Sequence, residues 1–322
     1  MDENRTRASG FAIVTALALT LVACGGDVES PPVPAPSPTP SPSPQIEVQE
    51  ISLELSDLID AGTLAVDPDG NIFFANVAAG EVQVFSPDGA LVTSWGGKGE
   101  AEGRFSFFDK SEPDVNVGGL DIDADGNVYV ADAWNSRVQK FDGQGTFLLS
   151  WGEPGTMKGE FIRPIDVAVA DDGTVFVIDD RGSARIQQFS PEGEFLQAFG
   201  AGPVVNPGGM DFGPDGNLYV ANYGGENTLK FSPEGKLLAS WNVGDRSEPV
   251  DAAVAPDGTV YIADSFHDRL YAYDAEGNEL FFISEVGGSS LEELASVAVD
   301  AESDIYIVDE GPDAILHVTV NA

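Results

Sequence analysis

The 322-residue chain carries 15 basic and 54 acidic residues, a formal net charge of −39, with 42% apolar residues, 37 glycines and 21 prolines. That apolar share can bury a core, and the glycine and proline mark many turns. A surface this acidic repels phosphate backbones, which excludes nucleic acid as a partner. The one cysteine, Cys24, excludes an intramolecular disulfide.

Arg5 and Arg7 open the chain, and residues 11–23, FAIVTALALTLVA, form a 13-residue apolar run. That is signal-peptide length and short for a bilayer span. The run ends in Leu21-Val22-Ala23-Cys24-Gly25-Gly26, which closely resembles the bacterial lipobox. The resemblance implies a signal peptide over 1–23, cleavage before Cys24 and lipidation of that residue. Several acyl chains on one residue would anchor the protein stably to a membrane. A bacterial envelope protein facing away from the cytoplasm is expected, in the outer membrane where the cell has one.

Residues 31–44, PPVPAPSPTPSPSP, cannot build a core and favour extended polyproline II. At about 3.1 Å per residue, the segment 24–45 is a tether of roughly 60–70 Å. The folded part is expected over 46–322.

From residue 64 the chain repeats itself. Each unit reads as an apolar strand, an Asp-Gly turn and a second strand ending in Asp or Asn. A polar tip follows, then a strand ending in Phe or Tyr, a second glycine turn and a fourth strand. LDIDADGNVYVADAWNSRVQKFDGQGTFLLSWG (120–152) is one copy, and VAVADDGTVFVIDDRGSARIQQFSPEGEFLQAFG (167–200) is the next. The first-turn glycines are Gly70, Gly126, Gly173, Gly216 and Gly258, with Ser303 in the sixth place. Four short antiparallel strands at this period predict propeller blades. The sixth unit ends after three strands, and residues 46–55, IEVQEISLEL, are expected to supply the fourth. That closure removes open sheet edges. The fold expected is therefore all-β, a six-bladed propeller closed by the N-terminal strand.

The motifs GNVYVADAWNSRVQKF and WGEPGTMKGEFIRPIDVAVA resemble the NHL-repeat family. NHL relatives often act as binding modules, so the resemblance implies a propeller that presents its mouth to a protein, peptide or glycan ligand. Related six-bladed propellers include amidating lyases, streptogramin lyases and gluconolactonases with metals at the channel mouth. They imply the alternative, a metal-dependent lyase or lactonase-like hydrolase. The amidating lyase places several histidines on zinc, whereas this chain has two, His267 and His317.

The strand-end residues Asn76, Asp132, Asp179, Asn222, Asp264 and Asp309 recur in all six units, and Arg137, Arg185 and Arg269 reopen the following strand in three. Asp and Asn at such positions accept backbone N–H bonds and fix the turn. An Asp–Arg pair across each of these tips is expected to act as a joint. Trp95, Trp151, Phe199 and Trp241 end the outer strands and are expected to pack between blades.

A site should break the repeat, and three departures gather at one mouth. Asp121, Asp166, Asp211 and Asp251 lie on the innermost strands with one parity. A ring of four carboxylates facing the channel suits a hard cation, Ca²⁺ foremost, or else lines a water-filled acidic pore or bonds neighbouring backbone. The tips carry Trp134, Arg181, Tyr223, Phe266 and His267, aromatic and basic groups able to hold a ligand; in an enzyme, His267 would be the base. The long link 96–118 carries Phe105, Phe107 and Phe108 beside Arg104 and Lys110, and reads equally as a binding loop or as packing under blades one and two. No P-loop, HExxH or GxSxG motif is present.

Overall fold

The computed structural model describes residues 45–49, 61–107, 118–180, 184–312 and 314–321. Within them the chain forms six four-stranded antiparallel sheets, the blades of a β-propeller. Blade 2 shows the plan, with strands Leu120–Ile122, Val128–Asp132, Arg137–Phe141 and Phe147–Trp151 running outward in chain order. Its second strand, VYVAD, is buried at every position, because sheets pack on both of its faces. Its outermost strand alternates between half-buried and exposed residues, because one face meets solvent. Blades 3, 4 and 5 repeat this layout from Pro164, Met210 and Pro249.

Closure is as expected, with tighter bounds. Strand Gln45–Gln49 pairs antiparallel with Ala314–Asn321 and completes blade 6, Gln45 opposite Asn321 and Gln49 opposite His317. Residues 50–55 of the expected strand lie outside the described residues, as do Cys24, the apolar run and the proline segment.

The outer-strand aromatics lock each blade to the next. Trp95, Trp151, Phe199 and Trp241 lie flat against Gly145, Gly193, Gly235 and Gly277 of the following blade, where a Cβ would fall 2.3–2.8 Å from the ring. Glycine also supplies the positive φ of these turns, 81–87°. In the sixth first-strand turn Ser303 takes φ 71° where the other blades have glycine, a mildly strained substitution.

The long link after blade 1 packs under the blades over its described part. Phe105 and Phe107 are buried and stack 4.8 Å apart, with Phe105 against Trp95 and Phe141. Phe108 and Lys110 lie outside the described residues.

Candidate functional site: the channel and its tip-face mouth

The strand-end residues are joints; in blades 2 to 6 they hold the link that enters the blade, while Asn76 accepts the Ala79 amide of its own tip. Asp132 accepts from the Ser106 amide at 2.7 Å and from Arg137 Nε at 2.7 Å. Arg137 in turn donates to the Ala101 and Arg104 carbonyls. Asp179 takes the Ile162 and Arg163 amides on one oxygen and Arg185 on the other. Asn222, Asp264 and Asp309 take the Val205, Glu248 and Glu292 amides. The third expected Asp–Arg pair is not made. Asp264 meets His267 Nδ1 at 2.6 Å, while Arg269 lies over the Phe282 ring at 4.5 Å. The histidine is nearer along the tip, so it takes the carboxylate and leaves the arginine to stack.

All four inner aspartates face one narrow channel cavity of about 90 Å³. Each reaches forward to the innermost strand of the next blade. Asp121 accepts from Val169 N at 2.7 Å, Asp166 from Met210 N at 2.8 Å, Asp211 from Val254 N at 2.7 Å and Asp251 from Val297 N at 3.0 Å. Thr63 and Ser296 fill the remaining gaps, accepting from Leu120 N at 3.0 Å and from Leu64 N at 3.3 Å. Six side chains thus close a circuit of blade-to-blade bonds. Thr63 and Ser296 occupy the repeat column of Asp166 and Asp251, so an alignment of units marks them by position though not by charge. Asp121, Asp211 and Asp251 each also accept the amide of the residue that follows them.

Burial pushes these carboxyls up, Asp121 to about 7, Asp251 to about 6 and Asp211 to about 8, with Asp121 as a second cause at Asp211. Asp166 is raised well above the usual range by burial and then by Asp251. Among the described residues no group of three or more His, Cys, Asp or Glu side chains converges as metal ligands.

Above the ring, at the tip face, lies a cavity of about 430 Å³ bounded by blades 3 to 6. Two columns of the repeat build it. Asp180, Tyr223, Ser265 and Glu310 directly follow the joint residue; Arg163, Glu248 and Glu293 stand three before Asp166, Asp251 and Ser296. Arg163 donates from Nε to Asp180 at 2.8 Å and lies 5.6 Å from the Trp134 ring. Burial and then the neighbouring Glu248 raise the Tyr223 hydroxyl.

Of the tip residues singled out in the sequence, Tyr223 lines this cavity and Trp134 flanks it through Arg163. Phe266 is exposed and meets His267 edge to face, outside the lining, and Arg181 lies outside the described residues. In blades 3 to 6 the residue after the joint lines the mouth, while Phe266 and His267 of blade 5 stand outside it. Repeat alignment gives the signal for the missed residues: this column reads Val77, Ala133, Asp180, Tyr223, Ser265, Glu310 and is the least uniform of the tip.

The NHL-repeat family profile matches residues 116–141 and 161–189, in blades 2 and 3. This chain carries NHL repeats. They are assembled here into a six-bladed propeller. A 123-residue stretch, 38% of this chain and 11% of the relative, is 31% identical to protein brain tumor of Drosophila melanogaster. Another of 99 residues, 28% of this chain and 10% of the relative, is 39% identical to peptidylglycine alpha-amidating monooxygenase of Rattus norvegicus. The matched stretches thus span about a tenth of these relatives. Among solved structures, a gluconolactonase from Xanthomonas campestris superposes with TM-score 0.64 at 16% identity, over 85% of this chain and 90% of that one. A streptogramin B lyase does so with TM-score 0.60 at 13% identity, over 86% and 98%. At these identities the solved structures show the fold alone.

Proposed function

We propose that this protein is a lipid-anchored, extracytoplasmic binding module whose propeller takes a protein, peptide or glycan ligand in its tip-face mouth. The observation that carries this reading is the 430 Å³ cavity, lined in part by the most variable column of the tip while the joints and the channel ring hold the scaffold. The lining sets Arg163 against Asp180, Glu248, Glu293 and Glu310, which favours a ligand with a positive end such as a basic peptide. Sequence similarity to NHL-repeat proteins supports an interaction role. Anchoring rests on the lipobox-like run at Cys24.

The test is a panel of immobilised basic peptides and glycans presented to the purified protein. A specific ligand is expected, with Tyr223→Ala and Glu248→Gln each weakening it at least about tenfold. Retention unaffected by both substitutions would remove the mouth from the reading. Cys24→Ser is expected to release exported protein from membranes, and continued membrane fractionation would overturn the anchor.

A second reading is a lyase or lactonase-like hydrolase on the tip face beside the mouth, favoured by the 39% identity to part of an amidating monooxygenase. The Asp264–His267 pair, 2.6 Å apart, would supply its base. Recovery of the bound ligand chemically unchanged speaks for the module; turnover that His267→Gln abolishes speaks for the enzyme.

A further inference from the structure

The opposite end of the channel, where the first and second strands turn, holds a cavity of about 540 Å³. It is lined by Phe176, Phe212, Val254, Pro214, Pro256 and Val299, with Phe176 and Phe212 edge to face at 4.9 Å. The cavity follows from a break in the repeat. In blades 1, 2 and 6 the turn opens on Asp67, Asp123 and Asp300. Each carboxylate folds back over its own turn and takes two amides, at 2.8–3.0 Å. In blades 3, 4 and 5 the same position is Ala170, Gly213 and Ala255, and all three line the cavity. The capping task has moved two residues on, where Asp172, Asp215 and Asp257 take the amides of Thr174, Asn217 and Thr259 at 2.8–3.0 Å. Three successive blades therefore lack the first carboxylate and are capped by the second, a position that is also Asp in blades 1 and 2. The turn keeps its bond, and an apolar hollow opens on the channel axis.

The rim is acidic, and one cation stands beside it, Lys140 Nζ 3.4 Å from Asp123. Asp171, Asp172 and Asp300 border the hollow. A second cavity of about 240 Å³ shares Ala170, Asp171, Val299, Asp300 and Ala301 with it and adds Asp67 and Asp123. No Lys or Arg lines either cavity. An apolar, partly aromatic hollow of this size matches a small ligand, since such sites run to roughly 300–1,000 Å³ with few polar groups. The carboxylates fix the sign of its charge, and the half-buried Phe212 ring, packed on the buried Phe176, also favours a cation. We propose that the turn-face end of the channel binds a small amphipathic cation, an aromatic or branched apolar body carrying an amine. This site lies at the other end of the strands from the tip-face mouth and does not depend on the ligand bound there.

The probes are tryptamine, phenethylamine and isoamylamine, each set against its carboxylate counterpart, by calorimetry on the purified protein. An amine is expected to bind below millimolar, and its carboxylate counterpart at least about tenfold more weakly. The double variant Ala170→Asn, Ala255→Asn restores the size of the turn aspartate seen in blades 1, 2 and 6 without adding charge. It should fold with an unchanged thermal transition and lose the amine at least about tenfold. Asp171→Asn with Asp172→Asn leaves the hollow open and should erode the preference for amine over carboxylate. Tyr223→Ala, in the mouth at the other end, should leave amine binding untouched. The proposal is overturned if no amine binds below millimolar, if carboxylates bind equally, or if the filled variant binds as the wild type does. A filled variant that fails to fold leaves the Asp171/Asp172 pair as the deciding arm: unchanged amine preference there also overturns it.

Discussion

Aspartate does two different jobs in this propeller. At the tips, Asp132 and Asp179 are buried, hold the incoming link by its amides, and meet the guanidinium groups of Arg137 and Arg185. In the channel, Asp121, Asp166, Asp211 and Asp251 make the same kind of amide bond to the next blade but face one another. The tips balance charge with a cation on the same hairpin, within a few residues. Burial raises Asp132 and Asp179 as well, against their arginines; the channel has no basic side chain in its lining, and there burial raises the carboxyls to about 6–8. Blade 6 stands between the two cases. Asp309 is a joint that meets no Arg or Lys side chain among the described residues, and burial lifts it to about 6. An amide network alone can hold the backbone; where it also encloses a charge, the neutralising partner decides how the joint responds to pH.

The comparison breaks most visibly at blade 2. Asp132→Ala strands Arg137 and the Ser106 amide in a buried joint and is expected to cost about 3–5 kcal/mol in denaturant unfolding. Asp309→Ala leaves amides but no guanidinium and should cost about 1–3 kcal/mol. Equal losses would mean that the cation contributes nothing to the joint.

The channel should reveal itself through pH. A carboxyl raised in the folded state holds its proton after the unfolded chain, near a pKa of about 3.9, has released it. This contribution is therefore complete below about pH 4 and is lost as pH rises through the folded values of 6 to 8. Asp211→Asn should flatten the decline between pH 5 and 8. It should also lower stability at pH 5 by about 1 kcal/mol, since an amide side chain cannot accept both the Phe212 and the Val254 amides. A variant whose pH profile runs parallel to the wild type would place the titration elsewhere.

Calcium sharpens the same point. A cation entering the ring competes with amide donors on carboxylates already engaged between blades. At fixed ionic strength Ca²⁺ is expected to raise the melting temperature no more than Mg²⁺. A calcium-specific rise abolished by Asp166→Asn with Asp251→Asn would establish a cation as the neutralising partner instead.

The smallest effect belongs to blade 5. Arg269 stacks on Phe282 and makes no bond to Asp264, so Arg269→Gln should cost only about 0.5–1 kcal/mol. Arg137→Gln, which strips a buried carboxylate of its counter-ion, should cost clearly more. Comparable losses would restore the Asp–Arg joint to blade 5.

The sequence by itself determined the six units, their four-strand order, the closing N-terminal strand, the glycine turns, and the role of Asp132 and Asp179 as joints. These follow from local rules. Strand alternation is a two-residue property, turn chemistry spans four residues, and an Asp–Arg tip closes within six. The four channel aspartates were legible as a set through their shared parity. What each grips was not, because their partners stand 43–48 residues away on the neighbouring blade. Nor does spacing reveal the bulges before Asp166 and Asp251, which offset the pairing register at the start of those innermost strands. Only the tertiary structure decided that His267 displaces Arg269, that the residues after the joints of blades 3 to 6 line the mouth, and that Ala170, Gly213 and Ala255 open one hollow. Side chains far apart in sequence share a cavity only once the ring has closed, so their geometry belongs to the packing of blades rather than to any single repeat.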